Sequence, residues 1–106
     1  MDSVTVVLPH QLRQEAGGVR SVTSNATTVR EMLNELDSRF PGMKFRFCQE
    51  TGELRPFVNV FVGSENVRYL DGLDSRLRSG DVVHIIHSVA GGAQTYTDSR
   101  TPEESR

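Results

Sequence analysis

The sequence predicts an α+β fold in a single domain, with one main helix packed across a sheet. Three observations support this prediction. Apolar residues alternate with period two near both ends of the chain, one apolar stripe recurs at helical spacing between them, and 106 residues suffice for one modest core. The composition, 36% hydrophobic and 25% charged, is typical of a globular domain.

The first two strands are predicted to form an antiparallel pair. Alternating apolar residues begin at Val4, and Pro9 ends the run. Gly17-Gly18 can take the positive φ angles that a hairpin connection needs. A second strand is then expected around Val19 and Val22.

A helix is predicted to begin after Thr28. Thr28 and Glu31 have the spacing of a capping box, in which each side chain satisfies an unpaired backbone N–H at the start of a helix. Pro41-Gly42 should end the helix. The apolar stripe expected to face the sheet comprises Val29, Met32, Leu33, Leu36 and Phe40.

The second half of the chain is predicted to return to strands after a long connection. Residues 43–56 have no sustained period and favour a loop with one irregular turn. Residues 57–62 are β-branched and aromatic, and the turn at 63–66 predicts a hairpin to a short strand at 67–69.

The last predicted elements are a helical turn and a final strand. Leu73 and Leu77 fit a single helical turn, and residues 82–89 fit a strand. Residues 93–106 are polar and could not bury enough apolar surface to offset the cost of ordering them, so we expect a disordered extension.

This order of elements is that of the β-grasp (ubiquitin-like) fold, in which one helix lies across a mixed sheet. Residues 57–92, FVNVFVGSENVRYLDGLDSRLRSGDVVHIIHSVAGG, resemble the C-terminal half of the MoaD/ThiS family of sulfur carriers, and within it the cysteine-forming carriers of actinobacteria. The likeness lies in the FVNVFV strand, the VRYLDGL segment, the SGD turn and the VAGG ending. It extends over residues 4–92.

The resemblance implies that the reactive group is the carboxylate of Gly92. A ThiF/MoeB-type adenylating enzyme would activate it with ATP and exchange oxygen for sulfur, giving a thiocarboxylate. Ala90, Gly91 and Gly92 would thread the narrow cleft of that enzyme, where glycine has no Cβ to clash. The carrier itself would need no catalytic side chain and no bound cofactor.

The resemblance also implies a precursor. Family members usually end at the second glycine, whereas here Ala93 follows Gly92. We expect a carrier domain at residues 1–92 and cleavage between Gly92 and Ala93 by a JAMM-type zinc metalloprotease. Residues 93–106 would then be removed.

The sequence leaves open which protein accepts the sulfur and which of three functional classes the chain belongs to. A cysteine synthase homologue is the favoured sulfur acceptor, with the large subunit of molybdopterin synthase or a natural-product pathway as alternatives. A protein modifier conjugated to lysines through Gly92 is a second class. A β-grasp interaction domain with an incidental Gly-Gly is a third.

One face of the sheet is a candidate partner-binding surface. If Val58, Val60, Val83 and Ile85 face the helix, the residues that alternate with them face outward, and they are unusually apolar for a solvated face. In the family, this face docks the activating enzyme and the acceptor. We call it the outer face, and it comprises Val7, Asn59, Phe61, His84 and Ile86.

The other chemistry-bearing residues predict no metal site. His84 and His87 are three apart on a strand, so they face opposite sides, while His10 stands alone in a loop. Cys48 fits a small apolar loop residue. The aspartates that could suggest a cation site have the spacing of turns and caps instead; they are Asp71, Asp74 and Asp81.

The bulk properties disfavour several other classes of protein. A net charge of -2 with interspersed signs provides no basic field for nucleic acid. The longest apolar run, at residues 82–86, is too short to span a bilayer, and the start lacks the pattern of a signal peptide. We therefore expect a cytoplasmic carrier rather than a membrane protein or an enzyme acting alone.

Overall fold

The computed structural model describes residues 3–87, which form one mixed sheet with a helical layer against it. The strands are β1 (Val4–Val7), β2 (Ser21–Ser24), β3 (Val58–Val62), β4 (Glu65–Asn66) and β5 (Val82–His87). The helices are α1 (Val29–Arg39) and α2 (Lys44–Phe47). No helix within the described part is long and apolar enough to cross a membrane.

The sheet has the order β2-β1-β5-β3-β4, with β5 at its centre. β5 runs parallel to β1 and antiparallel to β3, and the two outer pairs are antiparallel. This is the β-grasp arrangement predicted from the sequence. The described chain therefore ends on β5, the central strand of the sheet.

The core lies between α1 and one face of the sheet. We call this the inner face, and its residues, at most 2% exposed, are Val6, Val58, Val60, Val83 and Ile85. The α1 residues against it are Val29, Met32, Leu33 and Leu36, at most 1% exposed. The predicted helix stripe is confirmed for these four, whereas Phe40 lies just past the end of α1 and is only half-buried.

The start of α1 is confirmed at Thr28, with one correction. Thr28 Oγ1 accepts a hydrogen bond from the Glu31 backbone N–H at 3.2 Å. The returning bond runs from the Thr27 backbone N–H to Glu31 Oε1 at 3.0 Å, one residue earlier than the predicted capping box. Hydrogen bonds from the Thr27 backbone and then from its hydroxyl hold the pKa of Glu31 below its usual value.

The antiparallel pairing of β1 and β2 is confirmed, but the second strand starts later than predicted. Gly17 and Gly18 have φ angles of 77° and 87°, as the turn prediction required. Val19 lies outside β2 and is 43% exposed, so its assignment to the strand was wrong. The intervening chain instead forms two 3-10 turns, which the periodicity does not reveal.

The second hairpin is also confirmed, with its short strand displaced. β4 occupies residues 65–66, inside the predicted turn. Residues 67–69, predicted as a strand, form a 3-10 turn in which the Asn66 side chain accepts from the Arg68 backbone N–H at 2.9 Å. That cap competes with extension of the strand.

The remaining connections agree in outline with the sequence. The long connection contains α2, which buries Phe47, and a backbone bridge between Cys48 and Leu54. The predicted helical turn is a 3-10 turn at Gly72–Asp74, and Leu77 after it is buried. β5 is described to His87, so the predicted strand residues 88 and 89 lie outside the described residues.

Candidate functional site

The structure brings the five outer-face residues together across three strands. In the parallel pairing Val7 lies opposite His84, and in the antiparallel pairing His84 lies opposite Phe61. Asn59 lies opposite Ile86 in the next row. The predicted geometry of this face is therefore confirmed, and its role in binding stays a prediction.

Exposure differs across the outer face. Ile86 is 46% exposed and His84 is exposed, whereas the other three are half-buried. Val82 is 39% exposed on the same face and was missed by the sequence argument. Alternation along β5 could have identified it, since it is two residues before His84.

Asn59 is fixed at one edge of the outer face by two donors. Its Oδ1 accepts from Asn66 Nδ2 at 3.0 Å and from Arg68 Nε at 3.3 Å. The Arg68 guanidinium also donates to the Val58 carbonyl at 2.7 Å. The polar group on this apolar face is thus held in place by a charged side chain.

The end of β5 is held differently on its two sides. β3 pairs with β5 as far as His87, but β1 pairs only as far as His84. Beyond that point the chain turns away at Pro9, which has no N–H to donate to a ladder. Gln11 Nε2 donates to the His87 carbonyl at 3.1 Å in place of the missing strand.

A groove of about 320 Å³ opens where β1 turns away from β5. All three histidines of the chain line it, including His10, which the sequence left isolated. Arg13 and Arg20 line it as well. Sequence reasoning missed this groove because its residues come from a loop with no periodic pattern.

The two histidines of β5, His84 and His87, have different surroundings. His84 is exposed on the outer face, while the His87 ring packs edge-on against Phe57 with the centroids 4.9 Å apart. Burial, and then the positive charges of Arg46 and Arg55, lower the pKa of His87. The prediction that the two histidines face opposite sides is confirmed.

The remaining candidates have structural roles. Cys48 is 1% exposed, and burial raises the pKa of its thiol, which disfavours the reactive thiolate. Asp81 Oδ2 accepts from the Arg78 backbone N–H at 2.8 Å, and Asp74 pairs with Arg30 at 3.2 Å. Asp71 donates its backbone N–H to Ser75 Oγ. Within residues 3–87, no group of three His, Cys, Asp or Glu side chains is placed to hold a metal ion.

The predicted reactive and cleavage residues lie outside the described part of the chain. These are Ala90, Gly91, Gly92 and Ala93. Gly92 is five positions beyond His87, the last described residue of β5. The described structure therefore fixes the point from which this segment leaves the domain.

Comparison with known proteins identifies close counterparts of this domain. The ThiS family model matches residues 6–92. The sulfur carrier protein CysO of Mycobacterium tuberculosis is 36% identical over 92 residues, a match that covers 85% of this chain and 99% of that protein. Small archaeal modifier protein 3 of Haloferax volcanii is 33% identical over 82 residues, covering 74% of this chain and 88% of that protein.

A solved structure agrees with these relatives. One chain in the crystal structure of the Amycolatopsis orientalis BexX/CysO complex superposes with a TM-score of 0.77 at 40% sequence identity. The match covers 84% of this chain and 99% of that one.

Proposed function

The chain belongs to the ThiS family, and from that membership we propose that it is a sulfur carrier whose Gly92 bears a C-terminal thiocarboxylate. The observation that carries the proposal is the position of the Gly-Gly pair. The family match ends at Gly92, five positions beyond the central strand of the sheet. In a β-grasp carrier, that placement lets a thin terminus extend away from a rigid domain.

The chemistry proceeds in two balanced steps on the partner enzyme. A carboxylate oxygen of Gly92 attacks the α-phosphorus of ATP, which forms an acyl-adenylate and releases pyrophosphate. A sulfur nucleophile, written as hydrosulfide, then attacks the acyl carbon and displaces AMP, leaving the thiocarboxylate and one proton. The ThiF/MoeB-type enzyme supplies the activating groups, and this chain supplies the acyl carbon.

The domain's own contribution is docking and positioning. The outer face offers an apolar centre, with Phe61 and Ile86 beside the polar His84. Apolar and aromatic side chains at the centre of an interface commonly provide most of its binding energy. The Gln11 bond to the His87 carbonyl holds the base of the terminal segment.

Maturation by cleavage between Gly92 and Ala93 is part of the proposal. Fourteen residues follow Gly92, while a match covering 85% of this chain already accounts for 99% of the M. tuberculosis relative. Only a terminal carboxylate can be adenylated, so residues 93–106 must leave first. A JAMM-type zinc metalloprotease is the proposed partner, using a metal-activated water.

We propose a cysteine synthase homologue as the sulfur acceptor. The sequence resemblance to cysteine-forming carriers and the 36% identity to a protein named CysO support this choice. The similar chain in the BexX/CysO complex supports a function that involves docking to a second protein.

Conjugation to lysines is the second candidate function. The 33% identity to small archaeal modifier protein 3 favours it, because the same activated Gly92 could acylate an amine instead of a sulfur nucleophile. Denaturing gels of host extract probed for the chain distinguish the two candidates. A ladder of conjugates resistant to thiol reagents indicates a modifier, whereas its absence favours the carrier.

The test of activation uses ATP–pyrophosphate exchange with the ThiF/MoeB-type enzyme of the source organism. A version of the chain ending at Gly92 should support exchange, whereas the full-length chain and the Gly92→Ala version should support little. Ser79→Ala, at an exposed turn, is the matched control and should behave like the parent chain. Equal exchange by the full-length chain would contradict the requirement for cleavage.

A further inference from the structure

The groove at the end of β5 concentrates positive charge on a chain that is acidic as a whole. Its ionisable or amide side chains are His10, Gln11, Arg13, Arg20, His84 and His87. No acidic residue lines it. The net charge of the chain is -2, so this accumulation is local.

Another depression on the described surface differs in this respect. In the open depression beside α1, Arg30 and Arg68 are accompanied by Glu53, Asp71 and Asp74. Arg30 is paired there with Asp74. The charges of that surface largely compensate each other, whereas those of the groove at the end of β5 do not.

The two arginines of the groove are held by the same stretch of backbone. The Leu8 N–H donates to the Arg20 carbonyl at 3.0 Å, and Arg13 Nε donates to the Leu8 carbonyl at 3.1 Å. Both residues are therefore tied to the point where β1 turns away from β5. The Arg13 guanidinium is held by its own bond, and this lowers the entropy lost when a partner binds it, whereas the Arg20 bond fixes only the backbone that carries its exposed side chain.

The groove lies within reach of any partner that holds Gly92. Five residues link His87 to Gly92, and at roughly 3.3–3.6 Å per extended residue they span at most about 17 Å. A protein that encloses Gly92 in a cleft must therefore approach the groove closely.

We propose that this groove receives acidic side chains at the mouth of the cleft in which the activating enzyme takes up the glycine terminus. The inference rests on the proposed function and adds a charged contact to the apolar outer face, with which the groove shares Val7, His84 and Ile86. Arg20 and His10 are the principal contact residues because both are exposed. Complementary charge of this kind accelerates association and selects the partner.

The experiment measures the Kd of the parent chain, here the version ending at Gly92, for the ThiF/MoeB-type enzyme of the source organism as a function of sodium chloride concentration. The test variant is Arg20→Glu, and the matched control is Arg78→Glu, which reverses another exposed arginine in a depression lined by both signs of charge. Thermal melts confirm that both variants fold. His10→Glu, which introduces a negative charge into the same groove, provides a second, independent test.

At low salt, Arg20→Glu should weaken binding about tenfold or more, and His10→Glu should act in the same direction. The deficit should shrink as salt rises, because exposed charges are screened. Arg78→Glu should stay within about twofold of the parent. If Arg20→Glu and His10→Glu bind as the parent does, or if the deficit is independent of salt, the inference is wrong.

Two further results separate this inference from the function it rests on. If the parent chain binds with the predicted charge dependence but Gly92 is never adenylated, the inference about the groove is supported and the sulfur-carrier proposal fails. If the parent does not bind at all, both fail. Competition by low inorganic phosphate at constant ionic strength would mark a phosphate site and overturn the assignment to acidic side chains.

Discussion

The two faces of the sheet are built from the same strands but differ in how far their side chains are exposed. Inner-face residues such as Val60 and Ile85 are at most 2% exposed, and each alternates with an outer-face neighbour. Ile86, next to Ile85, is 46% exposed although it is equally apolar. An apolar side chain that the fold leaves in water adds little to stability, so its value is expected in binding.

The largest expected effect comes from the layer that covers the inner face. Leu36→Ala removes a side chain 1% exposed against the sheet and should lower the free energy of unfolding by about 2–5 kcal/mol. Leu33→Ala, in the same stripe and also 1% exposed, should cost a similar amount. Urea denaturation measures both, with Ser38→Ala on the exposed side of α1 as the control. Unchanged stability in both leucine variants would show that the two faces are not energetically distinct.

The outer face should give the opposite response. Ile86→Ala should weaken binding to the activating enzyme by about 2 kcal/mol while changing the free energy of unfolding by about 0.5 kcal/mol or less. Phe61→Ala should also weaken binding, with a larger cost in stability because Phe61 is half-buried. Calorimetric titration and thermal melts on the same samples separate the two effects. A large loss of stability in Ile86→Ala with unchanged binding would assign this face to the core.

The cap of α1 tests how firmly the helix is held over the inner face. Thr28→Ala removes the oxygen that accepts from the Glu31 N–H and should cost about 1 kcal/mol of stability. Thr51→Ala, in an exposed loop, is the matched control and should have little effect. Equal melting temperatures for the two variants would show that water replaces the cap.

The smallest effect is a dependence of stability on pH that His87 should cause. The pKa of His87 is lowered in the folded chain, so the unfolded chain binds the proton more readily. Stability should therefore fall as the pH drops through the ordinary histidine value of 6.5. Urea denaturation between about pH 7.5 and 5.5 measures this slope.

His87→Asn should flatten that slope, whereas Ser79→Ala, at an exposed turn, should leave it in place. A slope that survives in His87→Asn would assign it to other groups. The pKa of Glu35 is also lowered, despite the opposing effect of burial, by hydrogen bonds from Ser24 and Arg39. Its contribution is lost only in more acidic solution, below the ordinary value of 4.5.

The sequence predicted the elements in which apolar side chains recur at a regular spacing. Period-two alternation placed Val60 and Phe61 on opposite faces, and helical spacing placed Leu33 and Leu36 in the core. It could not place β4, because a two-residue strand is defined by its hydrogen bonds to β3 rather than by a pattern of side chains. Val19 was assigned wrongly since one apolar residue after a turn does not establish a strand.

The same limit applied to the candidate site, because the part built from strands was predictable and the part built from a loop was not. The outer face followed from alternation alone, because neighbouring strands bring alternate residues into rows. The groove was not predictable, since it depends on how the loop after Pro9 folds back beside β5 and brings Arg20 to the Leu8 backbone. Interspersed charges in the sequence became a local positive surface only in three dimensions.

The central claim, that Gly92 is the sulfur-bearing terminus, is tested most directly by the intact mass of the protein isolated from its native host. We expect a form ending at Gly92, part of which carries one sulfur in place of one oxygen. A preparation in which every form retains Ala93 and none carries the added sulfur would contradict it.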